Sequence, residues 1–404
     1  MSACSGSMSE LCRHFGACGG CSYQDQPYQK QLETKAARLS LALAGLWDAP
    51  IEVRPSPDIF YYRNKMEFSF SHQVSGKDSD GAYLFESCLG MKFKGRWDKS
   101  IDLLECRICE DTGAKLLAAV RVWAAENSLS YYDLRRHSGF LRHLVLRRGV
   151  NTGQHLVALI TAAGELPAEG FLNAVRGVYP DATILWGVNP GLSDVAASPD
   201  LKILQGNGSI TEKILMPADG TLAGLETEFK ITLRSFFQTN TQAASRLYSH
   251  VRSCAAQSGC GNFFDLYGGS GAISLLLRDV ARKCVCVESV PDAVADGKVN
   301  AEKNVAANVE FVNAKVEDYL PQALSALPDA CVVVDPPRAG LHSRATAALL
   351  ESRPGRIIYV SCNPDALARD LKALCQSYKI DSVVGFDLFP HTVHVESAAV
   401  LELK

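Results

Sequence analysis

The sequence predicts an α/β protein in two parts: a Rossmann-like, doubly wound domain towards the C-terminus and a β-rich central domain carrying a cysteine-ligated cluster. Three observations predict this. After about Ile231, strand-like and helix-like runs alternate. From about Tyr61 to Glu228, short alternating runs dominate. Three cysteines crowd into Cys12-Arg-His-Phe-Gly-Ala-Cys18-Gly-Gly-Cys21. The expected boundaries are 1–30 with 61–230 for the central domain, and 31–60 with 231–404 for the doubly wound one.

The cysteine stretch comes first in the chain. Gly19 and Gly20 let the loop fold tightly enough for several sulfurs to converge. Three thiolates leave a tetrahedral or cubane site one ligand short. Cys88, Cys106 and Cys109 are the candidates for the fourth, with Cys106 favoured. Four thiolates without paired histidines suit an iron–sulfur cluster or zinc. His14 is a possible zinc ligand inside the loop, and Cys4 lies in a Ser/Gly-rich tail expected to be disordered. Pro27 then opens a helix whose apolar positions Leu32, Ala36, Leu39, Leu43 and Leu46 recur at helical spacing. Ile51 to Val53 reads as a short strand ended by Pro55.

Within the central region, Met66-Glu-Phe68-Ser-Phe70, Leu144-Val-Leu146 and His155 to Ile160 read as mostly antiparallel strands, with one helical pattern over Asp111 to Ser128. Basic and aromatic residues interleave in three groups. The first is Tyr61, Tyr62, Arg63 and Lys65; the second is Lys92, Phe93, Lys94, Arg96 and Trp97; the third is Arg135, Arg136, Arg142, His143, Arg147 and Arg148. Aromatic rings stack on unpaired bases while Arg and Lys hold phosphates, so RNA contact is expected here.

The doubly wound region carries the chemistry. Asn262 to Tyr267 is a strand, Gly268-Gly-Ser-Gly271 a turn, and Ala272 to Arg278 a helix. The turn lets a nucleotide approach the backbone, but Ser274 stands where a dinucleotide fingerprint needs its third glycine. Glu288 closes the next strand, where a carboxylate accepts from two ribose hydroxyls. An adenosyl ligand without a pyrophosphate follows, and S-adenosylmethionine fits. Asp335-Pro-Pro-Arg338-Ala-Gly340 ends another strand. Asp335 suits a ligand or substrate contact, and Arg338 a phosphate or enolate oxygen. Ile357 to Val360 runs as a strand into Ser361-Cys362-Asn363-Pro364, where a helix begins. The positive end of that helix is expected to lower the Cys362 thiol pKa. Glu396, in Phe389-Pro-His391-Thr-Val-His394-Val-Glu396, is a candidate general base.

Composition sets outer limits. In 404 residues, 47% are hydrophobic and 21% charged, and a net charge of -3 supplies no overall field that draws in nucleic acid. There is no apolar run of about 18 residues and no signal-peptide pattern. A cytoplasmic protein without membrane contact is expected, and its fourteen cysteines speak for metal binding, catalysis and burial rather than a disulfide framework.

Taken in order, Phe236-Phe-Gln238-Thr-Asn240, Asp265-Leu-Tyr-Gly-Gly-Ser-Gly271, Asp335-Pro-Pro337, Ser361-Cys-Asn-Pro364 and His394-Val-Glu396 resemble the bacterial iron–sulfur RNA uracil-5-methyltransferases. Tyr62-Arg-Asn-Lys65, Leu141-Arg-His-Leu144 and the cysteine stretch resemble that family's central-domain motifs. The resemblance implies a Rossmann-like S-adenosylmethionine-dependent methyltransferase domain, acting on carbon 5 of a uridine in RNA. Cys362 would add to carbon 6, and Glu396 would remove the carbon 5 proton. Gln238, Tyr267, Glu288 and Asp335 would bind S-adenosylmethionine, and Cys12, Cys18, Cys21 and Cys106 would hold a [4Fe-4S] cluster. Gly268 stands where many members have cysteine, and Lys315 near a position where many carry an acid or amide facing the adenine. No RNA-binding β-barrel of the TRAM type precedes the cysteines, so the central domain is expected to carry more of the RNA binding. The expected substrate is 23S rRNA, bound by a monomer, with tRNA as the alternative and an iron–sulfur NAD-dependent oxidoreductase as the rival reading.

Overall fold

The computed structural model describes residues 11–326 and 330–404; Cys4 and its tail lie outside them. The chain divides into two compact units. One comprises residues 59–148 and 154–210 with the N-terminal segment up to Pro27; the other comprises 28–58, 149–153 and 211–404.

In chain order, α1 (Tyr28–Ala42) and β1 (Val53–Arg54) belong to the second unit. The central unit follows with β2 (Lys65–Lys77), β3 (Tyr83–Gly90), α2 (Gly113–Glu126), β4 (Leu141–Arg148), β5 (His155–Thr161), α3 (Ala168–Arg176), β6 (Thr183–Val188) and β7 (Leu201–Gln205). Its sheet runs β3-β2-β4-β5-β6-β7. All pairs are antiparallel except β5–β6, which α3 bridges as a crossover. The sequence pattern predicts one helix here, and the structure has two. Pro167, Gly170 and Gly177 interrupt the pattern of α3, yet Phe171, Leu172 and Val175 form a buried stripe. They pack with α2 residues Leu116, Val120 and Trp123 over Phe68, Leu144, Leu159 and Ile184.

The second unit resumes with β8 (Ser209–Met216), β9 (Leu225–Thr232), α4 (Thr241–Gln257), β10 (Asn262–Leu266), α5 (Ala272–Leu276), β11 (Lys283–Glu288), α6 (Pro291–Lys303) and β12 (Val309–Asn313). It ends with α7 (Val316–Ala326), β13 (Ala330–Val334), α8 (Ser343–Ser352), β14 (Arg356–Ser361), α9 (Pro364–Leu374), β15 (Tyr378–Phe386) and β16 (Glu396–Leu403). The boundary expected near 230 falls instead at 210/211. The β8–β9 pair reads as more of the β-rich region, but it is tied to α6: Glu228 and Lys230 N–H donate to the Asn304 and Asn300 side chains at 2.9 and 2.8 Å.

The large sheet runs β1-β15-β16-β14-β13-β10-β11-β12. Every pair is parallel except those of β16, which lies antiparallel between β14 and β15. Phe264, Val332, Ile357 and Leu401 on one face pack under α1, α7, α8 and α9. Phe263, Cys331, Ile358 and Val360, between them in sequence, are buried too. Both faces are covered, as a mainly parallel sheet requires, and ligands are left the strand ends.

Candidate functional site

Strand register assembles the site. Leu266 pairs with Val287 on one side and Val334 on the other, so Tyr267, Glu288 and Asp335 leave the sheet next to one another. On the far side of β13, Ser361 pairs with Ser397. Cys362 follows the last residue of β14 and Glu396 precedes Ser397, so the end of the ladder brings the two near each other, within electrostatic reach. Ser397 Oγ donates to Ser361 O at 3.2 Å and pins this end. Glu396 is buried and Cys362 half-buried.

The electrostatics run against the expectation from the helix start. Burial, then Glu396 and Asp335, push the Cys362 thiol up to about 11, with Arg338 pulling the other way. The helix start is present: Asn363 caps α9 by accepting from Asp365 N–H at 3.2 Å, and Pro364 is its first residue. Two carboxyl groups and poor solvation outweigh it. Burial and Asp335 hold Glu396 well above the carboxylate range. Burial and Asp265 take Asp335 up to about 7. Burial takes Asp265 up to about 6 against hydrogen bonds from Ser274. Sequence reasoning did not single out Asp265. Its signal was an acid in a strand core just ahead of the glycine turn.

Of the residues expected to hold an adenosyl ligand, Tyr267, Glu288 and Asp335 sit at adjacent strand ends, and Tyr267 lines the cavity there. Glu288 accepts from Gly269 N–H at 3.0 Å and Val290 N–H at 2.8 Å, which fixes its carboxylate at the end of β11. Tyr267 has φ of 62°, a left-handed conformation that costs energy for a non-glycine residue and turns the chain out of β10. Asp265 Oδ1 is buried without a hydrogen-bond partner among the described residues, as an atom that meets a ligand would be. Gly268 has a local reason: a Cβ there would run into the Cys286 sulfur. A cavity of about 760 Å³ opens at these strand ends, lined by Tyr267, Ser289, Lys315, Glu317, Pro337 and Asp370 among others. That is room for a nucleoside-sized ligand.

The surrounding loops are held from several sides. Asn363 Nδ2 donates to Arg338 O at 2.9 Å, Arg369 Nη2 to Ala339 O at 2.8 Å, and Leu341 N–H to Asp370 at 2.7 Å. The helix that begins beside Cys362 thus also holds the Arg338 loop. Gln238 is buried just ahead of α4, whose cap residue Asn240 donates to Leu388 O at 3.1 Å. From α1, Lys35 reaches Asp387 at 2.6 Å and Phe389 O at 3.0 Å, with both charged side chains almost wholly buried. Gln31 Oε1 accepts from His391 N–H at 2.9 Å. The loop leading to Glu396 is therefore clamped by α1 and Asn240, which local motif reading did not reveal.

In the central unit, Cys12, Cys18, Cys21 and Cys106 line one pocket with Met66, Met91, Leu103 and Ile108. Cys88 and Cys109 do not line it: Cys88 Sγ faces Ser100 O at 3.6 Å, and Cys109 is buried against Gly113. His14 Nε2 accepts from Leu104 N–H at 3.0 Å, which removes that nitrogen as a ligand. No group of three or more His, Cys, Asp or Glu among the described residues is arranged to hold a metal ion. The pocket sulfurs do face donors, from Gly20 N–H to Cys18 at 3.4 Å and from Gln24 Nε2 to Cys21 at 3.2 Å. Backbone N–H groups of Ile108 and Cys109 point at Cys106. Such donors suit thiolates held by a metal cluster.

The basic groups divide. Arg142, His143 and Arg147 are buried, a correction to their reading as RNA contacts. Arg142 instead donates to the carbonyls of Asn189, Gly191 and Ser193. Tyr62 is buried too, while Tyr61, Phe93 and Trp97 remain exposed.

A doubly wound sheet with a glycine turn, a strand-end acid and an adenosyl-sized cavity defines an α/β S-adenosylmethionine-dependent methyltransferase. Residues 200–404 match the family described as tRNA (Uracil-5-)-methyltransferase. An RNA methyltransferase of Caldanaerobacter subterraneus is 35% identical over 97% of this chain and 84% of its own length. One of Bacteroides thetaiotaomicron is 34% identical over 98% and 88%. The crystal structure of Pyrococcus abyssi tRNA (uracil-54, C5)-methyltransferase in complex with S-adenosyl-L-homocysteine superposes with a TM-score of 0.77 at 32% identity, over 95% of this chain and 84% of that one. The chain belongs to the RNA (uracil-5-)-methyltransferase family, and this displaces the oxidoreductase reading. No helix among the described residues is long and apolar enough to cross a membrane.

Proposed function

We propose that this protein methylates carbon 5 of a specific uridine in RNA through a covalent Cys362–uracil adduct. The observation that carries the reading is the pairing of β14 with β16, which sets Cys362 beside Glu396, with Asp335 within electrostatic reach of both. The Cys362 thiol loses its proton to solvent, the sulfur adds to carbon 6 of an unpaired uracil, and electron density passes to carbon 5 as an enolate. S-adenosylmethionine, when bound, supplies the methyl group and a positive charge. Glu396, ionised once that positive charge is in place, then takes the carbon 5 proton, the carbon–sulfur bond breaks, and Cys362 leaves. Arg338, a cation within electrostatic reach of the thiol, favours the thiolate and would meet the enolate oxygen. Gln238, Tyr267, Glu288 and Asp335 bind the cofactor, with Glu288 on the ribose and Asp335 towards the methyl donor.

Cys12, Cys18, Cys21 and Cys106 would hold a [4Fe-4S] cluster that shapes the central unit, since alkyl transfer needs no electron transfer. The reactants belong to the cytoplasm. The expected substrate is 23S rRNA, with tRNA as the second reading, which the family description and the Pyrococcus abyssi neighbour support. The test is methyl transfer from labelled S-adenosylmethionine to unmodified 23S rRNA and tRNA transcripts, followed by mapping of 5-methyluridine. Label in 5-methyluridine supports the reading, and its absence from both RNAs overturns it.

A further inference from the structure

The exposed aromatic residues of the central unit gather on one ribbon. Pairing within the β2–β3 hairpin sets His72 opposite Ser87, Val74 opposite Phe85 and Lys77 opposite Tyr83. Cross-strand partners share a sheet face, as do strand residues two apart. Val74, Lys77, Tyr83 and Phe85 therefore lie together. Tyr83 is 61% exposed and Phe85 52%. Lys77 Nζ sits 4.9 Å from the Tyr83 ring centre, and Lys99 Nζ 4.2 Å from that of Phe85. Lys99 also closes the neighbouring loop, its carbonyl accepting from Phe93 N–H at 2.9 Å. That loop carries Lys94, Arg96 and Trp97, the last 67% exposed.

Charge says what covers this face. Lys77, Lys94 and Lys99 form no ion pair among the described residues. The nearby acids are engaged. Asp98 is held by Arg96 and Arg135, and Asp133 accepts from the backbone N–H groups of Arg135 and Arg136. Asp78 caps the hairpin turn by accepting from Asp80 and Ala82 N–H, and Glu86 takes Gln73 on the opposite face. Asp80, at the tip, is the acid left over. A protein-binding surface is depleted of lysine at its centre. Exposed rings beside uncommitted ammonium groups match single-stranded RNA: bases stack on the rings, and each lysine swings from ring to phosphate.

We propose that the Val74–Lys77–Tyr83–Phe85 face of the β2–β3 hairpin, with the Phe93–Lys99 loop, is a stacking platform for a single-stranded segment of the substrate RNA. The proposal rests on the RNA methyltransferase reading and extends the Lys92–Trp97 group, which the spacing of basic and aromatic residues did pick out, onto a hairpin face that it did not. The test uses the full chain and a fluorescein-labelled oligouridine, followed by anisotropy. Y83A/F85A weakens binding by roughly tenfold for each ring removed and raises KM for RNA more than it changes kcat. S-adenosylhomocysteine affinity stays at the wild-type value, which shows that the chain is folded. K77Q/K99Q lowers the slope of log K against log salt by about 0.7 for each phosphate no longer neutralised.

Unchanged oligouridine binding and KM in Y83A/F85A overturn the platform while leaving the methyltransferase reading standing. Absence of methyl transfer by the wild type overturns that reading, and oligouridine binding then decides the platform alone. Capture of a second protein that Y83A/F85A loses, with oligouridine binding intact, assigns the face to a protein and also overturns the proposal.

Discussion

Five of the cysteines sit in two settings that differ in their neighbours. In the Cys12–Cys18–Cys21–Cys106 pocket, N–H groups point at sulfur and the walls are apolar. At Cys362 the neighbours are the carboxyl groups of Glu396 and Asp335, with Arg338 as the opposing charge. Burial raises the thiols in both settings, Cys18 to about 11 and Cys21 to about 12; in the pocket the N–H donors pull the other way. Carboxyl groups keep a thiol neutral until substrate and a cationic donor arrive. On the proposed reading, the same side chain serves ligation in one unit and transient bond formation in the other.

That contrast can be broken at several points. The largest effect is expected from C362A: methyl transfer falls below detection, while S-adenosylhomocysteine still binds. Full methylation by this variant would end the covalent mechanism. E396Q follows, with kcat lower by about 10²–10⁴ and an RNA–protein band that survives denaturing gel electrophoresis. If E396Q loses activity with no such band, its role is not proton removal from the adduct.

K35M leaves Asp387 buried without its cation, at a cost of about 3–5 kcal/mol in chemical unfolding. A cost under about 1 kcal/mol would mean the clamp on the Glu396 loop is unimportant. The acid–base prediction is smaller. Because the Cys362 pKa is raised to about 11, little thiolate exists at neutral pH and its fraction grows as pH rises. With RNA well below KM, kcat/KM should climb by about tenfold per unit between about pH 7 and about pH 9. A flat profile contradicts the carboxyl setting. The smallest effect on the methyltransferase unit is expected from C18S and C21S. Both should lose iron and labile sulfide, yet S-adenosylhomocysteine affinity should move by less than about threefold. Wild-type protein purified without oxygen that contains no iron would rule out the cluster.

Much of the site was legible in the chain because its parts are local. Ser361-Cys362-Asn363-Pro364 reads as a strand running into a capped helix, and the structure has it so. Glu288 was legible as a strand-end acid. Less legible were α3, broken up by glycine and proline, and the β8–β9 pair, whose alternation suits either unit and which contacts with α6 allot to the second. Arg142 and Arg147 misled because a basic run on a strand looks alike whether it meets solvent or backbone carbonyls.

The sequence by itself determined the alternation of elements, the glycine turn with its strand-end acids, and the crowding of Cys12, Cys18 and Cys21. Each of these depends on neighbours a few residues away, through backbone geometry and side-chain period. Only the tertiary structure decided that Glu396 lies beside Cys362, that Cys106 joins the other three pocket cysteines, that Lys35 clamps Asp387, and that the Cys362 thiol is pushed up rather than down. Those outcomes depend on strand order and on what is buried against what. They are set when segments far apart in the chain pack together and exclude water.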